Sequence, residues 1–278
     1  MTELTDRAAL GVTRSAAGQL WSLNEVDDRQ VLALSQRHGL PDIVCRLLAA
    51  RDIVPDAAAA YLDPKIRDLL PDPSCLTDLD KAANRLAQAI KDNQPVAVFG
   101  DYDVDGATSS ALLLRYWQAC GQTMRAYIPD RSKEGYGPND AAFEQLDAEG
   151  YKLIVTVDCG TMAHDVLAAA QVRGQEVIVA DHHQTGGGLP ECYALVNPRR
   201  ADDDSGLGHL AAVGVTFMLL VGLNRVLRQD GYFEGREAPD LMALMDLVAL
   251  GTVCDVVPLQ GVNRAFVRQG LAVIGQGR

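Results

Sequence analysis

The chain has 278 residues, enough for one large α/β domain or two small ones, and 48% hydrophobic and 22% charged residues are typical of a soluble protein with a buried core. The net charge of −12 argues against a protein that coats nucleic acid, because phosphate contacts need clustered lysine and arginine. No membrane span or secretory signal is expected, and six scattered cysteines are typical of the reduced thiols of a cytoplasmic protein.

The first 90 residues are predicted to form a mostly helical N-terminal region. Apolar residues recur at helical spacing in short segments over 31–40, 43–51 and 56–62, and in a longer one over 79–91. Proline residues separate these segments, as they do at the ends of helices.

From Pro95 onward, apolar β-branched segments alternate with helical ones. The predicted strands cover 96–99, 125–128, 153–157, 177–180 and 194–196. The predicted helices cover 107–119, 139–149 with Asn139 as its cap, 164–173, about 211–228 and about 239–250. This alternation predicts an α/β domain over 91–278, with a parallel β-sheet flanked by helices on both faces.

Acidic residues follow three of the predicted strands. The strand over 96–99 runs into the segment Asp101–Gly106, which carries three aspartates. The strand over 153–157 runs into Asp158, and the strand over 177–180 runs into Asp181–His183. Because the carboxyl ends of parallel strands form the ligand crevice of such a sheet, we expect these side chains to converge. Asp255, which follows a further apolar segment, is a fourth candidate.

A cluster of aspartates with histidine is typical of a site for divalent cations. Carboxylates a few Å apart repel each other unless cations compensate them. Oxygen-rich ligands with imidazole suit Mn²⁺ or Mg²⁺ better than Zn²⁺, and a carboxylate that bridges two ions is common in phosphoester hydrolysis. Any one of these aspartates would more often be a helix cap, so the prediction depends on their joint occurrence.

Four segments in this order resemble the motifs of the DHH phosphoesterase superfamily: Asp101–Gly106, Val157–Gly160, Asp181–His183 and Gly251–Leu259. The resemblance extends from about residue 55 to 275 and includes supporting segments at 61–64, 128–131, 134–137 and 195–198. It is closest to the members that degrade single-stranded DNA.

The resemblance implies a metal-dependent 5′→3′ exonuclease that hydrolyses phosphodiester bonds of single-stranded DNA to 5′-mononucleotides in DNA repair and recombination. It implies two divalent metal ions, Mn²⁺ first and Mg²⁺ as the alternative. The implied partners are single-stranded DNA with a 5′ end, a single-strand-binding protein and a helicase, and we expect a cytoplasmic monomer that does not bind membranes.

The resemblance also assigns roles to individual residues. It implies as metal ligands Asp103, Asp105, Asp158, His182 and Asp255. Among these, Asp158 is expected to bridge the ions and, with His182, to be catalytic.

Four further residues receive expected roles around these ligands. Asp101, also expected to be catalytic, and Asp181 would orient ligands or loops. His183 would contact the scissile phosphate or aid proton transfer, and Arg131 would hold the 5′ phosphate. The alternative for Arg131 is a solvated loop charge.

Two departures from the superfamily pattern are visible. The resemblance implies a DHH-associated domain and an OB-fold after the fourth motif, and the sequence ends at Arg278 before them, so we expect weak binding to DNA by this chain alone. Residues 210–215 are less glycine-rich than the corresponding segment of the superfamily.

Three alternatives remain open at this point. One is a DHH enzyme that acts on small phosphoesters such as pyrophosphate or dinucleotides, and another is a non-catalytic nucleic-acid-binding scaffold. The third is a haloacid-dehalogenase phosphatase, in which Asp103 would be phosphorylated and Asp105 would be the acid or base. That fold needs a later lysine with an acidic pair, where this chain has Asp181–His183.

Overall fold

The computed structural model describes residues 8–277, and its internal contacts divide the chain into two units, Met1–Pro64 and Lys65–Arg278. Within the described residues the α-helices are α1 (Asp28–His38), α2 (Asp42–Ala49), α3 (Ala58–Leu62), α4 (Ile66–Leu69), α5 (Leu79–Lys91), α6 (Val104–Ala119), α7 (Asp140–Ala148), α8 (His164–Val172), α9 (Ala212–Gln229), α10 (Met245–Cys254) and α11 (Gly261–Ile274). Short 3₁₀ turns lie at Ala9–Gly11, Pro73–Cys75 and Leu241–Leu244.

The first unit is built from short helices around a small apolar core. Asp27 caps α1 by accepting a hydrogen bond from the Arg29 amide, and Gly39 ends that helix in the left-handed conformation. The core consists of buried side chains from α1, α2 and α3: Val31, Leu34, Cys45, Leu48, Ala49 and Ala58. The predicted helical character of this region is confirmed.

The second unit contains a five-stranded sheet in the order β2-β1-β3-β4-β5, with every neighbouring pair parallel. The strands are β1 (Val96–Gly100), β2 (Arg125–Tyr127), β3 (Leu153–Val157), β4 (Glu176–Ala180) and β5 (Ala194–Val196). Every residue of β1 and β3 is buried, which explains why these strands are continuous apolar segments without alternation. The predicted parallel sheet flanked by helices is confirmed.

Helices cover both faces of this sheet. On one face a large core includes side chains of α5, α6, α9, α10 and α11. On the other face a smaller core includes side chains of α7 and α8. The strand order reverses direction between β1 and β3, and the crevice outside the carboxyl ends at such a reversal is where ligands bind in open α/β sheets.

Two boundaries differ from the sequence-based prediction. The contacts divide the chain after Pro64, whereas the composition suggested a change near residue 90, because α5 packs against β5 and α9 and so belongs to the second unit. Helix α6 begins at Val104 rather than Ala107, because Asp103 caps it within the aspartate segment itself. No helix within residues 8–277 is long and apolar enough to cross a membrane.

Candidate metal centre and active site

Three neighbouring strands deliver aspartates to the same edge of the sheet. Asp101, Asp158 and Asp181 directly follow β1, β3 and β4. Their amides continue the sheet by donating to the main-chain oxygens of Val157, Ala180 and Val196 at 3.0–3.3 Å. The predicted convergence of these strand ends is therefore observed, and Asp101 and Asp158 lie on either side of the strand-order reversal.

The first turn of α6 places two more aspartates beside this edge. Asp103 accepts a hydrogen bond from the Gly106 amide at 3.0 Å and so also caps the helix. Asp105 is buried, and its two carboxylate oxygens accept hydrogen bonds from the amides of Ala212 and Val213 at 2.6 and 2.8 Å. Burial nevertheless raises the pKa of Asp105 to about 6.

The hydrogen bonds to Asp105 give the segment 210–215 a structural role that was not evident from the sequence. This segment leads into α9, and the first-turn amides of that helix hold the Asp105 carboxylate. Amides at a helix N-terminus have no partners within the helix and favour negative charge. Because these hydrogen bonds come from main-chain amides, a segment with fewer glycines can still hold the Asp105 carboxylate.

Asp158 lies at the centre of the cluster in a strained backbone conformation. Its φ of 60° falls in the left-handed region, and the residue is only 2% exposed. Burial, followed by the negative charges of Asp105 and Asp103, raises the pKa of Asp158 to about 10. The buried Oδ1 of Asp158 accepts no hydrogen bond from the described residues.

His182 meets carboxylates from three separate elements. Its Nε2 lies 3.3 Å from Oδ1 of Asp158, 3.7 Å from Oδ2 of Asp255 and 3.9 Å from Oδ2 of Asp105. The residue is 5% exposed, and among the described residues neither ring nitrogen has a hydrogen-bond partner. Asp255 reaches the cluster from the end of α10, so this carboxylate follows a helix and not a strand.

The donor set suits divalent cations. Three overlapping groups have ligand atoms within 4.8 Å of one another: Asp105, His182 and Asp255; Asp158, His182 and His183; and Asp101, Asp103 and Asp158. Buried polar atoms without hydrogen bonds occur in Asp101, Asp158 and His182, and such atoms are costly unless something binds them. Oxygen ligands with imidazole match the preferences of Mn²⁺ and Mg²⁺.

Asp181 organises the loop that follows β4. Its Oδ1 accepts hydrogen bonds from Nδ1 of His183 and the amide of His182, both at 2.7 Å, and its Oδ2 accepts from the amide of Thr161 at 3.0 Å. Burial alone would raise the pKa of Asp181, but these hydrogen bonds outweigh it and hold the pKa below its usual value. The hydrogen bond to Asp181 also raises the pKa of His183 to about 9.

His183 faces outward from this anchor. Its ring lies edge-on to that of Tyr136, with 5.7 Å between ring centres, and the Tyr136 hydroxyl lies 3.3 Å from Nδ1 of His183. The same hydroxyl donates to the main-chain oxygen of Asp158 at 3.1 Å. Tyr136 therefore joins the loops after β3 and β4.

Arg131 lies on an exposed loop beside the cluster. Its Cζ is 5.3 Å from the ring centre of Tyr102, the residue between Asp101 and Asp103. This placement puts a guanidinium next to the aspartate segment without pairing it to the buried carboxylates.

The structure places three further residues at this site to which the sequence assigned no role there: Tyr136 and Asn197, which belong to the supporting segments of the resemblance, and Arg199. Asn197 is buried, and its Nδ2 donates to Oγ1 of Thr161 and to the main-chain oxygen of His183, both at 2.9 Å. Arg199 is held by a hydrogen bond from its Nε to the main-chain oxygen of Gly208 at 2.8 Å. The feature of the sequence that could have indicated a role for Asn197 is its position, because it directly follows β5 at the same edge of the sheet.

Comparison with known proteins agrees with this geometry. The chain is 40% identical over 242 residues to the single-stranded-DNA-specific exonuclease RecJ of Salmonella typhimurium, covering 86% of this chain and 41% of that protein. Among solved structures it resembles exonuclease RecJ bound to manganese, with 37% identity and a TM-score of 0.62 over 73% of this chain and 49% of the other. It also resembles RecJ from Thermus thermophilus in complex with Mn²⁺, with 31% identity and a TM-score of 0.69 over 88% and 33% of the two chains.

These relatives are longer than the present chain, which spans one third to one half of their length. The model of the DHH family N-terminal domain matches residues 95–252, more than half of the chain. That match includes all of the predicted site residues except Asp255. It also excludes the dehalogenase alternative, in agreement with the burial of Asp105 against the amides of α9. The chain thus belongs to the DHH family.

Proposed function

We propose that this chain is the catalytic part of a metal-dependent exonuclease that degrades single-stranded DNA in the 5′→3′ direction to 5′-mononucleotides, in DNA repair and recombination. The observation that carries the proposal is the buried His182 ring. It has no hydrogen-bond partner among the described residues, and its Nε2 lies within 3.9 Å of carboxylates of Asp105, Asp158 and Asp255. The Salmonella relative reported above is a single-stranded-DNA-specific exonuclease, and the two related structures are RecJ proteins with bound manganese.

We assign the metal-binding role to five side chains: Asp103, Asp105, Asp158, His182 and Asp255. Asp158 and His182 each contribute to two of the three groups of ligand atoms, and of the two the carboxylate has a pair of oxygens with which to bridge, which supports the assignment of Asp158 as the bridging ligand. Two bound divalent ions, Mn²⁺ first and Mg²⁺ as the alternative, would activate the attacking water and stabilise the leaving oxygen. Their charge would also offset the repulsion among the buried carboxylates.

The remaining residues position the ligands and the substrate. Asp181 holds His183 through Nδ1, and Nε2, which lies 3.3 Å from the Tyr136 hydroxyl, is the nitrogen assigned to contact the scissile phosphate or to transfer a proton. Asp101 is buried beside Asp103 and Asp158, where it supports the ligand cluster. Arg131 holds the 5′ phosphate of the strand, since a guanidinium pairs with phosphate through two parallel hydrogen bonds.

We also propose an oligomeric state, partners and a cellular location for this activity. We infer that the protein acts as a monomer on single-stranded DNA with a 5′ end, together with a single-strand-binding protein and a helicase. We also infer a cytoplasmic location, which the six cysteines support because all of them are free thiols.

The test compares substrates and variants under one set of conditions. With Mn²⁺, the purified chain should release mononucleotides from the 5′ end of single-stranded oligonucleotides and act much more slowly on duplex DNA, pyrophosphate and dinucleotides. The Asp158→Ala variant should lose this hydrolysis, while Asp204→Ala, which removes an exposed aspartate elsewhere, should retain it. Preference for the small phosphoesters would overturn the assigned substrate, and no metal binding at saturating Mn²⁺ would favour a scaffold.

A further inference from the structure

Asn263 is a buried polar side chain in the first turn of α11, a helix that carries none of the proposed metal ligands. The residue is 0% exposed, although its helical neighbours Val262 and Phe266 belong to the apolar core. Its Nδ2 donates hydrogen bonds to the main-chain oxygens of His209 at 2.7 Å and Pro258 at 3.1 Å. Because both partners can only accept, the side-chain amide is held in this orientation. One side chain thus joins two loops from different parts of the sequence.

Each of these loops supports a proposed metal ligand. The first loop leads into α9, whose first-turn amides hold the Asp105 carboxylate. The second loop connects α10 to α11 and begins at Asp255. Asp105 and Asp255 form, with His182, one of the groups whose ligand atoms lie within 4.8 Å of one another. Asn263 therefore connects the supports of both carboxylates in this group.

The loop that begins at Asp255 is strained. Val256 has a φ of 59°, in the left-handed region that β-branched residues rarely adopt. Such a conformation is unfavourable and persists only where surrounding contacts impose it. The Val256 side chain is 85% exposed, so its own packing does not compensate for the strain. The hydrogen bond from Asn263 to Pro258 is a contact from outside the loop that holds the loop in place.

A role in packing alone does not account for an asparagine at this position. Oδ1 of Asn263 is buried and has no hydrogen-bond partner within the described residues. A buried oxygen without a partner is costly, and an apolar side chain at the same position would avoid that cost. The two N–H groups of the amide explain the residue, because no apolar side chain can donate to both main-chain oxygens.

We propose that Asn263 is a positioning residue that fixes the distance between Asp105 and Asp255, and with it the affinity for the divalent ion that these carboxylates share with His182. The inference rests on the proposed function, through its metal-binding assignment, and adds a residue that acts through the main chain of two loops. Residues that orient metal ligands in this way typically change metal affinity about 10- to 100-fold when they are replaced.

Titration with Mn²⁺, followed by calorimetry and by electron paramagnetic resonance of the free ion, measures each binding step without turnover. Asn263→Ala should weaken the binding of one ion about 10- to 100-fold. The other ion should be affected little, because the group of Asp101, Asp103 and Asp158 lies on other loops. At low Mn²⁺ the variant should show a lowered kcat with an unchanged KM for single-stranded oligonucleotides, and excess Mn²⁺ should restore kcat.

Gln175→Ala is the matched control. Gln175 is also a buried amide, and its Nε2 donates to the main-chain oxygens of Phe143 at 3.1 Å and Tyr151 at 3.4 Å. It precedes β4, at the amino end of the strand and away from the carboxylates. Both variants should lower the melting temperature, and only Asn263→Ala should weaken Mn²⁺ binding. Equal Mn²⁺ affinities in Asn263→Ala and the wild type, or an equal loss in both variants, would overturn the proposal.

Two further variants keep the test decisive. Asn263→Ser retains one hydroxyl donor and is the milder replacement if Asn263→Ala does not fold; it should weaken the same binding step by a smaller factor. Val256→Gly removes the strain, because glycine adopts a positive φ readily. In the Val256→Gly background, replacement of Asn263 should reduce Mn²⁺ affinity less than in the wild type. An equal reduction in both backgrounds would show that Asn263 does not hold this loop against its strain.

The outcomes separate this inference from the proposed function. If Asn263→Ala weakens one Mn²⁺-binding step but the wild type hydrolyses no oligonucleotide, the proposed function fails while the positioning role stands. If the wild type degrades single-stranded oligonucleotides and Asn263→Ala binds Mn²⁺ as tightly as the wild type, the positioning role fails while the exonuclease activity stands.

Discussion

The side chain of Asn197 is hydrogen-bonded to the main chain of His183, with 2.9 Å between Nδ2 and the carbonyl oxygen. The same Nδ2 donates to Oγ1 of Thr161, so one amide group holds the loops after β3 and β4 together. Asn197 is buried, and its Oδ1 also accepts from the amide of Arg199. This residue therefore positions the two histidines without contacting the carboxylate cluster.

Replacement of Asn197 with alanine should lower both activity and stability. The buried hydroxyl of Thr161 and the carbonyl of His183 would lose their donor, which costs about 1–3 kcal/mol of unfolding free energy. Loss of an orienting contact of this kind typically reduces activity about 10- to 100-fold.

Thermal unfolding and steady-state hydrolysis of single-stranded oligonucleotides measure the two effects. Asn224→Ala is the matched control, because it removes the hydrogen bond that the buried Tyr116 hydroxyl donates to Asn224 between α6 and α9. It should reduce stability without reducing kcat. An Asn197→Ala variant with unchanged kcat would show that the loops keep their positions without this contact.

Gly251 allows α10 to approach Asp105 closely. A Cβ at this position would lie 2.4 Å from Oγ1 of Thr108, 2.8 Å from Cγ1 of Val213 and 3.0 Å from Oδ1 of Asp105. Gly251→Ala should therefore displace the Asp105 carboxylate, destabilise the protein by about 1–3 kcal/mol and weaken Mn²⁺ binding.

Isothermal titration with Mn²⁺ and chemical denaturation would test this prediction. Gly275→Ala is a suitable control, since a Cβ there would meet its nearest atoms at 3.4 and 3.7 Å. Equal metal affinity in both variants would show that the close approach at Gly251 does not fix the position of Asp105.

Mn²⁺ should stabilise the folded chain by mass action. A ligand that binds only the native state adds about 2.7 kcal/mol at a concentration 100 times its dissociation constant. The melting temperature should rise with Mn²⁺ for the wild type and for Asp204→Asn, and much less for Asp158→Asn. Without metal, Asp158→Asn should be at least as stable as the wild type, because it removes a buried carboxylate from beside Asp103 and Asp105. A full Mn²⁺ response in Asp158→Asn would exclude the bridging assignment.

His209 makes part of the stability depend on pH. Its Nε2 is buried without a hydrogen-bond partner in the described chain, and burial lowers its pKa below the ordinary value of 6.5. Between those two pKa values His209 binds more protons in the unfolded chain than in the folded one, so its own contribution to stability falls as the pH falls below about 6.5. Thermal unfolding between pH 7.5 and 5.5 should show a smaller loss for His209→Gln than for the wild type. Parallel curves would show that His209 does not contribute.

Arg131 is predicted to act on the 5′ end of the substrate. Arg131→Ala should raise KM for 5′-phosphorylated oligonucleotides more than for 5′-hydroxyl ones, because the guanidinium pairs with the terminal phosphate. Arg115→Ala removes an exposed arginine of α6 and should affect both substrates little. An equal effect of Arg131→Ala on both substrates would favour a general electrostatic contribution.

The amino-acid sequence was sufficient to predict the class of fold and the chemical character of the site. Buried parallel strands need apolar residues on both faces, so β1, β3 and β4 are recognisable as short apolar segments, and the aspartates that follow them had to meet at one edge. The net charge of −12 is partly a consequence of this site, where carboxylates are concentrated for cations.

The remaining contacts of the site depend on the packing of the folded chain. Asp255 arrives from the end of a helix, and the amides of Ala212 and Val213 reach Asp105 across more than 100 residues of sequence. Contacts of this kind depend on how helices pack on the sheet. This packing cannot be predicted from local patterns in the sequence. The roles of Asn197 and Arg199 were hidden for the same reason, because a polar residue after an edge strand becomes significant only through the neighbours that packing gives it.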